Sequence, residues 1–126
     1  GIGSAVVPLQ QSGYFVISGE VGTDVTTDAL KEIKSELLRL CNDIVPDDEL
    51  SLVRSYLSGE MLRAVDGPFA QAAMYRELIE DGLDISHFEM QIETVQQITA
   101  VQLRDLAIKY LNPDELTTLV VGAQKV

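Results

Sequence analysis

The chain has 126 residues, 46% of them hydrophobic, enough for one domain that buries about two-thirds of its unfolded surface, and this composition excludes a disordered tail. Twenty acidic against nine basic side chains give a net charge of −11, which argues against a phosphate backbone or an anionic membrane as partner. No apolar run approaches the roughly 20 residues of a membrane helix, and the single cysteine, Cys41, excludes an internal disulfide or a multi-cysteine zinc site.

The chain opens Gly1-Ile2-Gly3-Ser4, without an initiator methionine, a basic segment or an apolar signal core, so its natural start is expected upstream and its compartment is not readable. Residues 4–9 and 14–21 read as two strands of a hairpin joined by a turn through Gln10-Gln11-Ser12-Gly13. On the second strand Phe15, Ile17 and Val21 share one face and Tyr14, Val16 and Ser18 the other, so both faces offer apolar groups. Pro8 cannot donate to a ladder and predicts an edge position for the first strand.

Five helices follow. Residues 27–41 place Leu30, Ile33, Leu37, Leu40 and Cys41 on one face, the pattern of a helix lying flat on a sheet, with the thiol acting as a small hydrophobe. Val45-Pro46-Asp47-Asp48-Glu49 starts a second helix, its acids placed where the helix dipole favours them. It runs to about Val65 with a stripe of Leu50, Val53, Leu57, Met61 and Val65. Gly59 interrupts it at a cost of up to about 1 kcal/mol against alanine, which predicts close packing there. Pro68 restarts the chain as a third helix carrying Phe69, Ala70, Ala73, Met74, Leu78 and Ile79, ended by a left-handed cap at Asp81-Gly82. Asp84 caps a fourth, with Ile85, Phe88, Ile92, Val95 and Ile98 in register.

Thr99 with Gln102 has the form of a capping box and opens the fifth helix, whose apolar face is Leu103, Leu106, Ala107, Tyr110 and Leu111. Asn112-Pro113 stops it. Thr117-Thr118-Leu119-Val120-Val121-Gly122 then reads as a buried strand returning to the sheet. The order is two strands, five helices and one strand, which predicts an α+β layer. Its final strand needs a neighbour, and a strand and helix before Gly1 are missing from the pattern.

At this point the chain resembles the C-terminal-type domain of the pitrilysin/insulinase (inverzincin) family of zinc metallopeptidases, which includes the mitochondrial processing peptidases and the core proteins of respiratory complex III. The matching pieces are the strand of residues 14–21, Asp47-Asp48-Glu49-Leu50, Gly82-Leu83 before the Asp84 helix, Ile98-Thr99 with Val101-Gln102-Leu103, and the run from Ala107 to Leu116 into Leu119-Val120-Val121-Gly122. None is diagnostic alone; their order and spacing carry the resemblance. It implies a ferredoxin-like split βαβ unit with an antiparallel or mixed sheet and several helices on one face, lacking here its first strand and helix. It further implies a chemistry built on an H-x-x-E-H motif with a downstream glutamate, which holds zinc and activates water. His87 is followed by Phe88-Glu89-Met90-Gln91, so that motif is absent. The arginine and tyrosine with which such domains contact substrate backbone would lie just before Gly1. The expectation is therefore a single, partial, non-catalytic domain with no catalytic or metal residue of its own, zinc belonging to the parent enzyme or a partner domain. Its expected partners are a peptide substrate, held with the missing N-terminal part or a zinc-bearing subunit, and further copies of itself; nucleic acid and membrane insertion are not expected. The alternatives are an inactive structural subunit of the complex III core-protein kind and a stand-alone peptide-binding module.

Other chemistry is thinly supported. His87 with Glu89 has the H-x-E form of a zinc deaminase but lacks its P-C-x-x-C partner. Asp47, Asp48 and Glu49 are better explained as helix-start acids than as a hard-cation site. Ser4, Ser12 and Ser18 have no histidine at an interpretable spacing, and Gly1-Ile2-Gly3 lacks the rest of a phosphate loop. The hairpin remains as the place for binding, since an open edge accepts an extended peptide unless a missing strand or another copy fills it.

Overall fold

The computed structural model describes residues 1–9 and 11–122 and is α+β: a two-stranded antiparallel sheet, five α-helices and one short 3₁₀ turn. Strands β1 (Ile2–Leu9) and β2 (Ser12–Gly19) pair over their full lengths, from Ile2 opposite Gly19 to Leu9 opposite Ser12. The chain thus reverses more tightly than the expected turn: Ser12 and Gly13 belong to β2, while Gln10 lies outside the described residues. β2 ends at Gly19, which leaves Val21 beyond the sheet and exposed. A side chain at Gly19 would press into the Gly1 carbonyl oxygen at 2.8 Å, so the close strand approach there requires glycine.

The helices are α1 (Thr26–Asn42), α2 (Asp47–Ala64), α3 (Pro68–Glu80), α4 (Ile85–Gln97) and α5 (Ala100–Tyr110), followed by the turn Pro113–Glu115. Their ends obey local chemistry. Gly82 has φ +71°, its N–H donates to the Ile79 carbonyl, and the Leu83 N–H donates to the Leu78 carbonyl at 2.7 Å, which makes a Schellman motif. Asp84 accepts from the Ser86 N–H at 2.9 Å, and Thr99 and Gln102 form both halves of the capping box. Pro68 occupies the first turn of α3 behind Gly67, whose φ of +93° suits glycine.

Packing is pairwise. α5 lies on α1, α4 lies on α2, and the 3₁₀ turn also touches α1. Among the described residues the buried apolar side chains are few: Leu37, Leu50, Ala100 and Ala107, and Pro113 is buried as well. α1 carries its stripe as expected, with Leu37 buried and Leu30, Ile33, Leu40 and Cys41 half-buried. On α4, likewise, Ile85, Phe88, Ile92, Val95 and the capping Ile98 are all half-buried.

Elsewhere the packed face is rotated from the expected one. On α5 it runs through Ala100, Leu103, Arg104 and Ala107 to Leu111, while Leu106 and Tyr110 face solvent. Small alanines sit where α5 approaches α1, and the larger side chains fall beside that contact, where Lys109 covers the Tyr110 ring at 4.7 Å. On α2 the inward positions are Leu50, Arg54, Ser58 and Met61, and Val53 and Leu57 are exposed. Arg54 turns inward because its guanidinium donates to the carbonyl of Ile98, which terminates α4 and needs a donor. Gly59 has no second element against it: a Cβ there would meet only the Arg63 guanidinium of its own helix, at 3.6 Å. α3 has no buried residue, and Phe69 and Ile79 on its expected apolar face are strongly exposed.

The final segment departs furthest from expectation. Residues 116–122 join no ladder, and Leu119, Val120 and Val121 are 84%, 57% and 89% exposed. A β-branched run becomes a strand only where another strand offers its edge, and β1 and β2 pair here only with each other. The whole chain exposes 9996 Å². A compact protein of its 13.8 kDa exposes about 6,600 Å² and its unfolded chain about 20,000 Å². Folding therefore buries about half of the chain's surface rather than two-thirds.

Candidate peptide-binding surface

The inner face of the hairpin is set by register. Val6 stands opposite Phe15 and Ser4 opposite Ile17, and cross-strand partners share a side. That side looks onto α1 across a cavity of about 470 Å³. Phe15 and Ile17 line it from the sheet, Ile33, Leu37 and Leu40 from α1, and Leu111 closes one end. The lining is apolar apart from Ser4, Glu32 and Glu36. Such a mostly apolar space suits aliphatic or aromatic side chains.

A second hollow of about 590 Å³ lies at the end of β2, between residues 20–23 with Thr26 and residues 120–122. It brings the exposed valines of the final segment beside the loop that leads into α1. Residues 120–122 join no ladder, so an extended chain could add main-chain hydrogen bonds there.

The polar candidates from the sequence are dispersed. His87 is half-buried on α4, its Nε2 3.2 Å from Gln91 Nε2 one turn on, and Glu89 is exposed. Asp47, Asp48 and Glu49 are exposed in the first turn of α2. Ser4, Ser12 and Ser18 are exposed on the hairpin. Among the described residues no group of three or more His, Cys, Asp or Glu side chains is placed to hold a metal ion. Cys41 is half-buried, with its Sγ 4.0 Å from the Leu111 carbonyl oxygen. Among the described residues the ion pairs join side chains one to four positions apart and are exposed apart from the half-buried Arg104, and exposed pairs of this kind contribute little each.

The Asp84 carboxyl is held below its ordinary value. The Ser86 hydroxyl, then the Ser86 backbone N–H, stabilise its carboxylate and lower its pKa. That is the chemistry of a helix cap, not of a reacting acid.

A pairing that the sequence did not announce is the inward turn of Arg54 and Ser58 at the α2–α4 contact, where Arg54 Nε and Ser58 Oγ are buried without partners.

Among the described residues no helix is long and apolar enough to cross a membrane. No protein-family model, no curated protein and no solved structure matches the chain.

Proposed function

We propose that this chain is a non-catalytic C-terminal-type domain of a pitrilysin/insulinase-like zinc metallopeptidase, with a ferredoxin-like parent fold, which helps to enclose an extended peptide opposite a zinc-bearing domain. The observation that carries the reading is the disposition of apolar main chain. The uncharged hairpin and the apolar cavity beneath it suit an extended apolar chain, and the exposed residues 119–121 offer further apolar side chains. The order of sequence pieces that resembles the family supplies the rest of the support. In this reading zinc and the water-activating glutamate belong to the partner domain, and the present chain supplies walls and main-chain edges.

The test is peptide cleavage by the assembly isolated from its natural source through this chain. Chelator-sensitive cleavage of unstructured peptides by the assembly, with none by the 126-residue chain alone, is the expected result. An assembly that contains this chain but cleaves nothing would point to a structural subunit of the core-protein kind. Peptide binding by the isolated chain as tight as by the assembly would point to a stand-alone module.

A further inference from the structure

We propose that the outer edge of β1 is a homodimer interface, at which β1 pairs antiparallel with β1 of a second copy to build a four-stranded sheet. This goes beyond the peptidase reading and does not depend on it. From Gly1 to Gly19 no side chain is charged, and the whole excess of acid begins at Glu20. Every helix carries at least one acidic residue. Two copies of a chain with net charge −11 repel overall, and the hairpin is an element through which they touch without bringing like charges together. A cationic partner finds no acidic side chain from Gly1 to Gly19, so the uncharged edge favours a self-partner.

β1 also lacks the devices that keep an edge strand solitary. It is eight residues long, its register with β2 runs without a bulge, and it carries neither a lysine nor an inward charge. Pro8 withholds one N–H near the end and leaves Ile2 to Val7 able to pair. Along β1, Ile2, Val6 and Leu9 are 53%, 73% and 56% exposed, whereas Phe15, Val16 and Ile17 of β2 are half-buried. A strand paired antiparallel with its own copy is isologous, so the assembly closes at two.

Light scattering and sedimentation of the 126-residue chain test the proposal. The expected result is twice the monomer mass of 13.8 kDa, falling to monomer on dilution. Val6→Lys places a charge on the edge and is expected to weaken the dimer at least tenfold, whereas Leu119→Lys, outside the hairpin, leaves it unchanged. A monomer at millimolar concentration, or a Val6→Lys chain that dimerises as well as the parent, overturns the proposal. If Val6→Lys loses its helical circular dichroism, single-cysteine chains decide the matter. Gly3→Cys, Ala5→Cys, Val7→Cys and Ser18→Cys are each made with Cys41→Ser and treated with diamide. Disulfide dimers concentrated at one β1 position support the interface. Dimers at Ser18→Cys alone, or equal at all four, overturn it. Peptide cleavage by the assembly is a separate readout, so failure of this interface and failure of the peptidase reading are distinguishable.

Discussion

Removing the capping box at the start of α5 tests how far local chemistry controls this fold. Thr99 Oγ1 accepts the Gln102 N–H at 3.2 Å, and Gln102 Oε1 accepts the Thr99 N–H at 2.8 Å. Thr99→Ala deletes the first bond and strands one orphan N–H of the helix start, which costs about 1 kcal/mol. Gln102→Ala deletes only the reciprocal bond, whose freed N–H belongs to an exposed residue and can turn to water, so its cost is about 0.5 kcal/mol. Because both side chains serve one motif, the double variant should lose less than the sum of the two. At about 2.1 cal/mol/K per residue, 1 kcal/mol corresponds to a fall of about 4 °C in melting temperature for a chain of this length. The effect is transmitted because α5 brings Ala100 and Ala107 into the small core against α1. Thermal melts followed by circular dichroism over the series Thr99→Ser, Thr99→Gly and Thr99→Ala give the check. The expected order of stability is Ser above Gly above Ala, and an alanine variant as stable as the serine one would falsify the capping argument.

Gly59→Ala should stabilise by about 0.5–1 kcal/mol, since a Cβ meets only the mobile Arg63 guanidinium at 3.6 Å; a lower urea midpoint would reveal a packing role that the structure does not contain. Leu37→Ala should destabilise by about 2–3 kcal/mol, near the lower end of the usual range because the side chain already borders a cavity, while Leu52→Ala, at a position 72% exposed, should change stability by less than about 0.5 kcal/mol. The lowered pKa of Asp84 means that its contribution is fully present above the ordinary aspartate value of about 3.9 and is lost as pH falls through the lower folded-state value. Melts of Asp84→Asn should accordingly fall less steeply below about pH 4 than those of the parent chain, and parallel pH profiles would refute the linkage. Chelator treatment of the isolated chain should leave its melting temperature unchanged, in keeping with the lack of a metal-holding group among the described residues; a large drop would overturn this.

Much of the architecture is legible in the sequence because its signals act over a few residues. The Thr99–Gln102 box, the Asp84 cap, Pro68 in the first turn of α3 and the Gly82 Schellman motif each involve groups no more than five positions apart, and all form as read. The stripes of α1 and α4 are equally local, because helical periodicity alone aligns Leu30 with Leu37 and Ile85 with Ile92. The candidate site was legible only in outline. Sequence pointed to a hairpin with two apolar faces, but the cavity under it depends on how far α1 stands from β2.

What tertiary structure alone decided is which neighbour each face meets. α2 is apolar around much of its circumference, and the Ile98 carbonyl at the end of α4 selected the side bearing Arg54. α5 turned its alanines to α1, leaving Tyr110 to solvent. Leu119-Val120-Val121 has the composition of a buried strand, yet burial belongs to a pair of surfaces and not to one segment. Without an open strand edge alongside, those residues stay exposed, whereas a cap needs only the backbone next to it.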